Sequence, residues 1–177
     1  MELRTARLLL RPWRADDEAD VAAAFDIYRR DEVARWLGAA PKPWPSEEAT
    51  RERLARWSAI DARDPGYGMW AVVPDDVGRP VGTVLLVRLP DAQGEMTDDV
   101  EVGWHFHPDH WGHGYATEAS QALLDHAFGT LGLGTVNAVA YAGNEPSFAV
   151  MRRLGMTHRG TTDRWYGVIL EWWSVSR

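Results

Sequence analysis

Two glycines and several small residues separate an apolar segment from an amphipathic one in the second half of the chain. The stretch reads His110-Trp111-Gly112-His113-Gly114-Tyr115-Ala116-Thr117-Glu118-Ala119. Glycines let the backbone turn tightly from a strand into a helix, whose first amides then point outward without partners. Such amides, with the positive end of the helix dipole, attract phosphate oxygens. The stretch therefore predicts a phosphate site, and a glycine turn without a ligand stays open as the alternative.

Two known phosphate motifs do not fit this stretch. A nucleotide P-loop ends in Gly-Lys-Ser/Thr, whereas no Lys or Arg occurs from Pro108 to Tyr141. The dinucleotide fingerprint needs a third small residue after Gly-x-Gly and an acidic residue ~20 positions further on. Thr117 stands at the third place, and the next apolar segment lacks the acid. Backbone amides are therefore expected to provide nearly all the phosphate recognition in this stretch.

Histidines cluster at the same place, because four of the six fall within nine residues: His105, His107, His110 and His113. Neutral imidazole is a common metal ligand, so a metal-dependent enzyme is one interpretation. The first two can share a strand face, but the last two belong to the glycine turn, and no carboxylate is identifiable as a supporting partner. We therefore expect no metal.

Hydrophobic periodicity and turn residues predict one α/β (α+β) domain over residues 1–177, in the order β-α-α-β-β-β-α-β-α-β-β. The predicted strands are Leu8–Leu10, Met69–Val73, Val81–Leu89, Val100–Phe106, Val136–Tyr141, Met156–Arg164 and Val168–Val175. About four helices are predicted, with Asp16-Asp17, Ser46, the glycine turn and Asn144 at their starts. The second should run to about Arg63 and the third to about Leu131.

Composition narrows the classes of partner and compartment. Lys and Arg total 19 against 26 Asp and Glu, a formal net charge of −7, which argues against nucleic-acid and anionic membrane surfaces and favours amine partners. The absence of cysteine excludes a disulfide scaffold, Cys-ligated zinc and a cysteine nucleophile. The longest apolar stretch, Val81–Val87, is far shorter than the ~20 residues of a membrane helix, and no signal peptide is apparent. We expect a cytoplasmic protein.

Ordered blocks along nearly the whole chain resemble the Gcn5-related N-acetyltransferase (GNAT) superfamily, in the branch similar to ribosomal-protein N-terminal alanine acetyltransferases. The blocks are Thr5–Arg11, Glu101–Trp104, Pro108–Ala119, and a last block formed by Asn144–Ser147 and Arg153–Met156. The resemblance implies a mixed, mostly antiparallel sheet that splays between the predicted strands 100–106 and 136–141. It also implies that acetyl-CoA binds in this opening as a cosubstrate, and that a homodimer is possible.

The resemblance further implies which residues hold acetyl-CoA. The pyrophosphate is expected on the backbone amides of Gly112, His113, Gly114, Tyr115, Ala116 and Thr117. Trp111 stands where many relatives have Gln or Arg, and His113 where a Lys is frequent. Backbone groups near Phe106 and His107 would pair with the pantetheine arm, and the Asn144 side chain would reach its amide. Arg152 and Arg153 are candidates for the 3′-phosphate, with a solvated helix face as the alternative.

Acetyl transfer to an amine needs a proton acceptor, because an alkyl ammonium group with a pKa of ~10.4 is almost fully charged at pH 7. Glu101 is the first candidate base and His105 an alternative or water-mediated one; strand alternation places both on one face with Gly103. A solvent-facing or Arg-paired Glu101 is the competing interpretation. Ser147 is the candidate for stabilising the departing thiolate, unless its hydroxyl bonds its own helix backbone.

These expectations describe an N-acetyltransferase that moves an acetyl group from acetyl-CoA to a primary amine by direct attack in a ternary complex. The acceptor is either a small molecule or a protein N-terminus. The loops Pro41–Pro45 and Asp91–Asp98, together with Trp36, Trp44 and the final hairpin, should shape its pocket. A non-catalytic acyl-CoA-binding or sensing module is the alternative.

Overall fold

Eight strands and six α-helices occupy the chain, and the computed structural model describes all of residues 1–177. The strands are β1 (Leu3–Arg4), β2 (Leu8–Pro12), β3 (Gly68–Pro74), β4 (Gly82–Pro90), β5 (Met96–Phe106), β6 (Thr135–Ala140), β7 (Thr157–Thr162) and β8 (Leu170–Ser176). The helices are α1 (Glu18–Tyr28), α2 (Asp31–Ala34), α3 (Glu47–Ser58), α4 (Ile60–Arg63), α5 (Tyr115–Gly129) and α6 (Glu145–Arg153). A 3₁₀ turn covers Pro108–His110. No helix combines the length and the apolar character that spanning a membrane requires.

The strands form one sheet in the order β1-β2-β3-β4-β5-β6-β8-β7. Every neighbouring pair is antiparallel except β5 and β6, which run parallel. These two strands share a single paired position, Glu101 opposite Asn137, and separate beyond it. The predicted mixed sheet with a splay between these strands is therefore confirmed.

The helices cover the two faces of the sheet unequally. On one face, α5 and α6 pack over apolar side chains such as Leu86 and Val102. On the other face, α1 and α3 enclose a smaller cluster that includes Trp13, Tyr28 and Ala71. This cluster covers only one end of that face, so the neighbouring part around Leu85 and Glu101 remains as a hollow.

Local signals account for most element boundaries. Asp17, Ser46 and Asn144 each accept a backbone N–H of the helix that they precede, as predicted. The second predicted helix was expected to be continuous to about Arg63 but breaks after Ser58. The Ser58 hydroxyl donates to the carbonyls of Leu54 and Trp13, and such back-bonding bends helices. The β1 strand, two residues long, is too short to show a periodic pattern.

Asn137 joins three strands where β5 and β6 last meet. Its Nδ2 donates to the Val100 carbonyl of β5 at 3.2 Å, and its Oδ1 accepts the indole N–H of Trp172 of β8 at 2.9 Å. The residue is only 5% exposed, so water cannot replace these partners. This buried amide therefore fixes the point from which the two strands diverge.

We predict that Asn137→Ala lowers the free energy of unfolding by about 2 to 4 kcal/mol, because the buried Val100 carbonyl and the half-buried Trp172 indole N–H lose their partner. Chemical denaturation measures the change. Thr135→Ala, on the same strand but exposed, is the control and should stay within about 0.5 kcal/mol of the wild type. A loss below about 1 kcal/mol for the Asn137 variant would show that the amide does not hold the junction.

Candidate active site

The separation of β5 from β6 opens a cleft of about 1000 Å³. Its walls come from the end of β5, the glycine turn, the first turns of α5, and the start of α6. Among the residues that line it are Trp104, His105, Phe106, Trp111, Gly112, Gly114, Tyr115, Ala116, Thr117, Asn144, Ser147 and Arg153. The structure thus brings most of the predicted cofactor residues to one cavity.

The glycine turn has the geometry that the phosphate prediction requires. Gly112 and Gly114 both adopt left-handed backbone angles, with φ of 80° and 81°. No side chain caps the start of α5, and the first helical hydrogen bond there runs from the Glu118 N–H to the Gly114 carbonyl. The amides of Tyr115, Ala116 and Thr117 therefore have no side-chain acceptor at the positive end of a 15-residue helix.

A distant segment supports this turn. The Glu118 carboxylate accepts hydrogen bonds from the Thr5 hydroxyl at 2.6 Å and from Arg7 Nε at 2.8 Å, and Arg7 also donates to the His113 carbonyl. Burial alone would raise the pKa of Glu118, but these hydrogen bonds outweigh it and hold the pKa below its ordinary value. Sequence reasoning missed Arg7, although it lies in the Thr5–Arg11 block that carried part of the resemblance.

Cations near the cleft also come from outside the glycine stretch. Arg4 and Arg153 line the cleft, at opposite ends of the sequence. Arg152, the other predicted 3′-phosphate candidate, lies 3.7 Å from Glu145 and does not line it.

The aromatic and histidine side chains around the turn have different orientations. Trp111 donates its indole N–H to the Phe106 carbonyl at 2.8 Å, which leaves that oxygen one further lone pair. His107 turns away toward α1, where its Nε2 lies 3.1 Å from Asp26. The His113 ring stacks on Tyr115. Neither of these histidines lines the cleft. The backbone N–H of His107 donates to the Val81 carbonyl and its carbonyl accepts the His110 N–H, so the predicted backbone contact of His107 with the pantetheine arm is not supported.

No three or more His, Asp or Glu side chains converge so as to hold a metal ion. His105 pairs with Tyr28, His107 with Asp26, and His113 with a backbone carbonyl. Three of the four histidines that cluster in the sequence thus have different hydrogen-bond partners.

A second cavity, of about 270 Å³, adjoins the cleft on the face that α1 and α3 cover only in part. Six residues line both cavities: Trp36, Leu37, Trp104, His105, Asn144 and Ser147. Glu101, Gly103 and His105 all line the second cavity. The ladder between β4 and β5 has no bulge over these positions, so the three residues share one strand face as strand alternation predicts. The junction of the two cavities is where a group held in the cleft would meet a second molecule.

Glu101 is buried in this second cavity, with only 8% of its surface exposed. Its Oε2 accepts the Tyr166 hydroxyl at 2.6 Å, and the backbone of Val139 on β6 also favours the ionised carboxylate. Burial raises its pKa to about 7, although Tyr166 and Val139 counteract part of the effect. Glu101 has no Arg partner and is not exposed to solvent. The alternative interpretation, a solvent-facing or Arg-paired Glu101, is therefore wrong.

His105 is held by a short chain of buried hydroxyls. The Tyr28 hydroxyl donates to Thr83 at 2.6 Å and lies 3.1 Å from His105 Nδ1. Because its proton is directed to Thr83, Tyr28 accepts from Nδ1, which leaves Nε2 as the ring's free acceptor. Burial lowers the pKa of His105 to about 4, so the ring is neutral at pH 7.

Asn144 and Ser147 lie at the junction of the two cavities. The Asn144 Oδ1 accepts the Ser147 amide at 3.4 Å, which caps α6 and leaves the Nδ2 group for the cleft. The Ser147 hydroxyl bonds no protein atom, so it does not bond its own helix backbone as the alternative supposed.

Tyr166 is a site residue that sequence reasoning missed. It is the one non-glycine residue with a positive φ, at 61°, and it lies in the loop between β7 and β8. Trp165 anchors this loop by donating its indole N–H to Asp99, and the Tyr166 amide donates to the Pro90 carbonyl. A non-glycine residue in this conformation is often found at a functional site, but no sequence pattern marks it.

Comparison with known proteins agrees with this geometry. The family described as "Acetyltransferase (GNAT) domain" matches residues 7–157. A Bacillus subtilis (strain 168) protein named uncharacterized N-acetyltransferase YnaD is 37% identical over 173 residues, which cover 98% of this chain and 92% of that protein.

Solved structures give the same result. An acetyltransferase from Agrobacterium tumefaciens str. C58 superposes with a TM-score of 0.78 at 28% identity, covering 100% of this chain and 95% of that one. The ribosomal-protein-S5-alanine acetyltransferase from Vibrio fischeri superposes with a TM-score of 0.73 at 18% identity, covering 99% and 96%, which is a likeness of fold. The chain therefore belongs to the GNAT family and is an acetyl-CoA-dependent acetyltransferase.

Proposed function

We propose that the protein transfers an acetyl group from acetyl-CoA to a primary amine by direct attack in a ternary complex. One observation carries the proposal. A buried carboxyl group with a pKa of about 7, Glu101, lines a cavity that opens onto the cleft beside the uncapped amides of α5. A group that titrates near the working pH is suited to exchange protons with an amine.

The cleft residues fit acetyl-CoA, which supplies a thioester-activated acetyl group when bound. The amides of Gly112 to Thr117 would hold its pyrophosphate, because the glycines place no Cβ atoms there and the helix start is uncapped. Phe106 would offer its backbone carbonyl to the pantetheine arm, and Asn144 its free Nδ2 group, whereas the backbone groups of His107 are already bonded to Val81 and His110.

Glu101 is favoured over His105 as the proton acceptor. At pH 7 an alkyl ammonium group with a pKa of ~10.4 must lose a proton at a cost of about 4.6 kcal/mol. Glu101, with a pKa of about 7, is a stronger base than His105, whose pKa is about 4. His105 is better suited to orient the amine or a water through its Nε2 acceptor.

Direct attack is supported by the lack of an activated nucleophile. The chain has no cysteine. Ser147 lies at the junction of the cavities, but its hydroxyl bonds no base that could activate it for covalent catalysis. The same hydroxyl is free to donate a hydrogen bond to the departing thiolate.

We expect Ala116→Asp to weaken acetyl-CoA binding about 100-fold or more, because a carboxylate among the phosphate-facing amides repels the pyrophosphate. Asp in the first turn of a helix is compatible with folding. The isosteric neutral variant Ala116→Asn is the control and should bind much more tightly than the Asp variant. Calorimetric titration with acetyl-CoA measures both, and equal affinities would contradict a phosphate site at this turn.

A further prediction concerns the pH dependence of catalysis. In the wild type, the slope of log(kcat/KM) against pH should fall by one near pH 7, where Glu101 titrates. Glu101→Gln should lack this change of slope and reduce kcat by about 10²- to 10⁴-fold, with acetyl-CoA affinity retained. A variant with the wild-type pH profile would assign the base elsewhere.

Stability provides the folding control for Glu101→Gln. The pKa of Glu101 is raised in the folded chain from its ordinary 4.5 to about 7. The unfolded chain therefore loses this proton first, and the wild type loses stability relative to the variant as the pH rises through that interval. Denaturation at pH 8 should find Glu101→Gln at least as stable as the wild type.

Tyr166→Phe should shift the same change of slope to higher pH. Its hydroxyl donates the hydrogen bond that lowers the pKa of Glu101, so its removal raises that pKa. Tyr141→Phe is the matched control, because Tyr141 also lines the cavity but donates to the Gly38 carbonyl. An equal shift in both variants would refute a specific Tyr166–Glu101 interaction.

Tight acetyl-CoA binding without transfer to any amine would favour a non-catalytic binding module.

A further inference from the structure

The second cavity, which contains Glu101, has a composition that selects among amines. Its lining is mostly apolar and aromatic, and Glu101 is the only carboxylate in it. No Lys or Arg lines it, and its other titratable side chains are His105, Tyr141 and Tyr166. Asp99, two residues along β5 from Glu101, is already bonded by Arg164 and Trp165. The cavity can therefore neutralise one ammonium group and no second charge of either sign.

Its walls are tied together on two sides. On one side, Tyr166 donates to Glu101, and its own loop is anchored on β5 through Trp165, which is 1% exposed. On the other, the Tyr141 hydroxyl at the end of β6 donates to the Gly38 carbonyl at 2.7 Å, which connects β6 to the loop after α2. These hydrogen bonds hold the walls of the cavity at a fixed separation.

The volume of the second cavity bears on the size of the acceptor. The cavity of about 270 Å³ is slightly smaller than the ~300 to 1,000 Å³ of typical small-molecule pockets. Leu85 and Gly103 form part of its floor, and a Cβ added at Gly103 would lie 3.1 Å from Leu85 Cδ1. There is therefore no additional space between Gly103 and Leu85, and the size of the cavity fits a small-molecule acceptor.

From these observations, and resting on the proposed function, we infer that the acetyl acceptor is a small primary monoamine with an apolar aliphatic or aryl body and no second charged group. In the reaction, the amine nitrogen forms a C–N bond with the acetyl carbon while the C–S bond breaks. The ammonium group loses two of its three protons. One passes to Glu101 and the other passes to solvent or to the thiolate, and coenzyme A leaves.

Matched acceptor pairs test this inference on the full chain with saturating acetyl-CoA. Phenethylamine is compared with phenylalanine, which adds a carboxylate, and pentylamine with 1,5-diaminopentane, which adds a second ammonium group. A short peptide with a free N-terminal alanine represents a protein N-terminus. Thiol release gives kcat/KM, and mass spectrometry identifies each product.

We expect kcat/KM for each monoamine to exceed that of its doubly charged partner and of the peptide by about 100-fold, because the additional charge or chain finds no counterpart in the cavity. Basicity alone would favour the peptide, whose α-amino group has a lower pKa than an alkylamine. Efficient acetylation of phenylalanine, the diamine or the peptide would overturn the inference and leave the proposed function standing. Binding of acetyl-CoA with no product from any acceptor would overturn both.

A charge added to the wall tests the same cavity directly. Val168 is half-buried in its lining, so Val168→Asp supplies a second carboxylate, and Val168→Asn is the neutral control. The Asp variant should shift the kcat/KM ratio of diaminopentane to pentylamine upward by about tenfold, whereas the Asn variant should keep the wild-type ratio. An unchanged ratio in a folded Asp variant would show that the acceptor does not occupy this cavity.

Discussion

The separation of two parallel strands after one shared position is the constraint on which the site depends. Glu101 of β5 and Asn137 of β6 form the only pair between them, and the Asn137 amide stabilises the sheet there by bonding both flanking strands. Beyond this point the strand edges are not used for sheet pairing, so the cleft opens within the sheet itself. The paired position also places the carboxyl group of Glu101 at the base of the opening.

The two ends of the site have opposite electrostatic properties. At the glycine turn, negative phosphate charge would meet backbone amides and a helix dipole, and the hydrogen bonds of Arg7 to Glu118 and to the His113 carbonyl stabilise the turn. In the second cavity, a titratable carboxyl group is isolated among apolar side chains, which raises its pKa to about 7. Burial there costs folding stability above that pH, and in the proposed mechanism it provides a base with a suitable proton affinity.

Short-range rules recovered much of this arrangement from the sequence. Alternation along β5 placed Glu101 with His105, and the residue type at Asn144 identified its helix cap. The contacts that were missed join residues far apart in the chain. Tyr166 and Glu101 are separated by 65 positions, and Tyr28 and Thr83 by 55. No periodicity encodes such pairs, because they exist only once the sheet has brought distant loops together.

The contact between Arg7 and Glu118 spans 111 positions, and it has a consequence for the order of assembly. Closing so long a segment has a large entropic cost, which must be met before the contact returns any energy. Helix α5 can form early from local bonds, but its leading end acquires its final support only when the beginning of the chain arrives. The turn at the start of α5 therefore acquires these hydrogen bonds only after both ends of this long segment have come together.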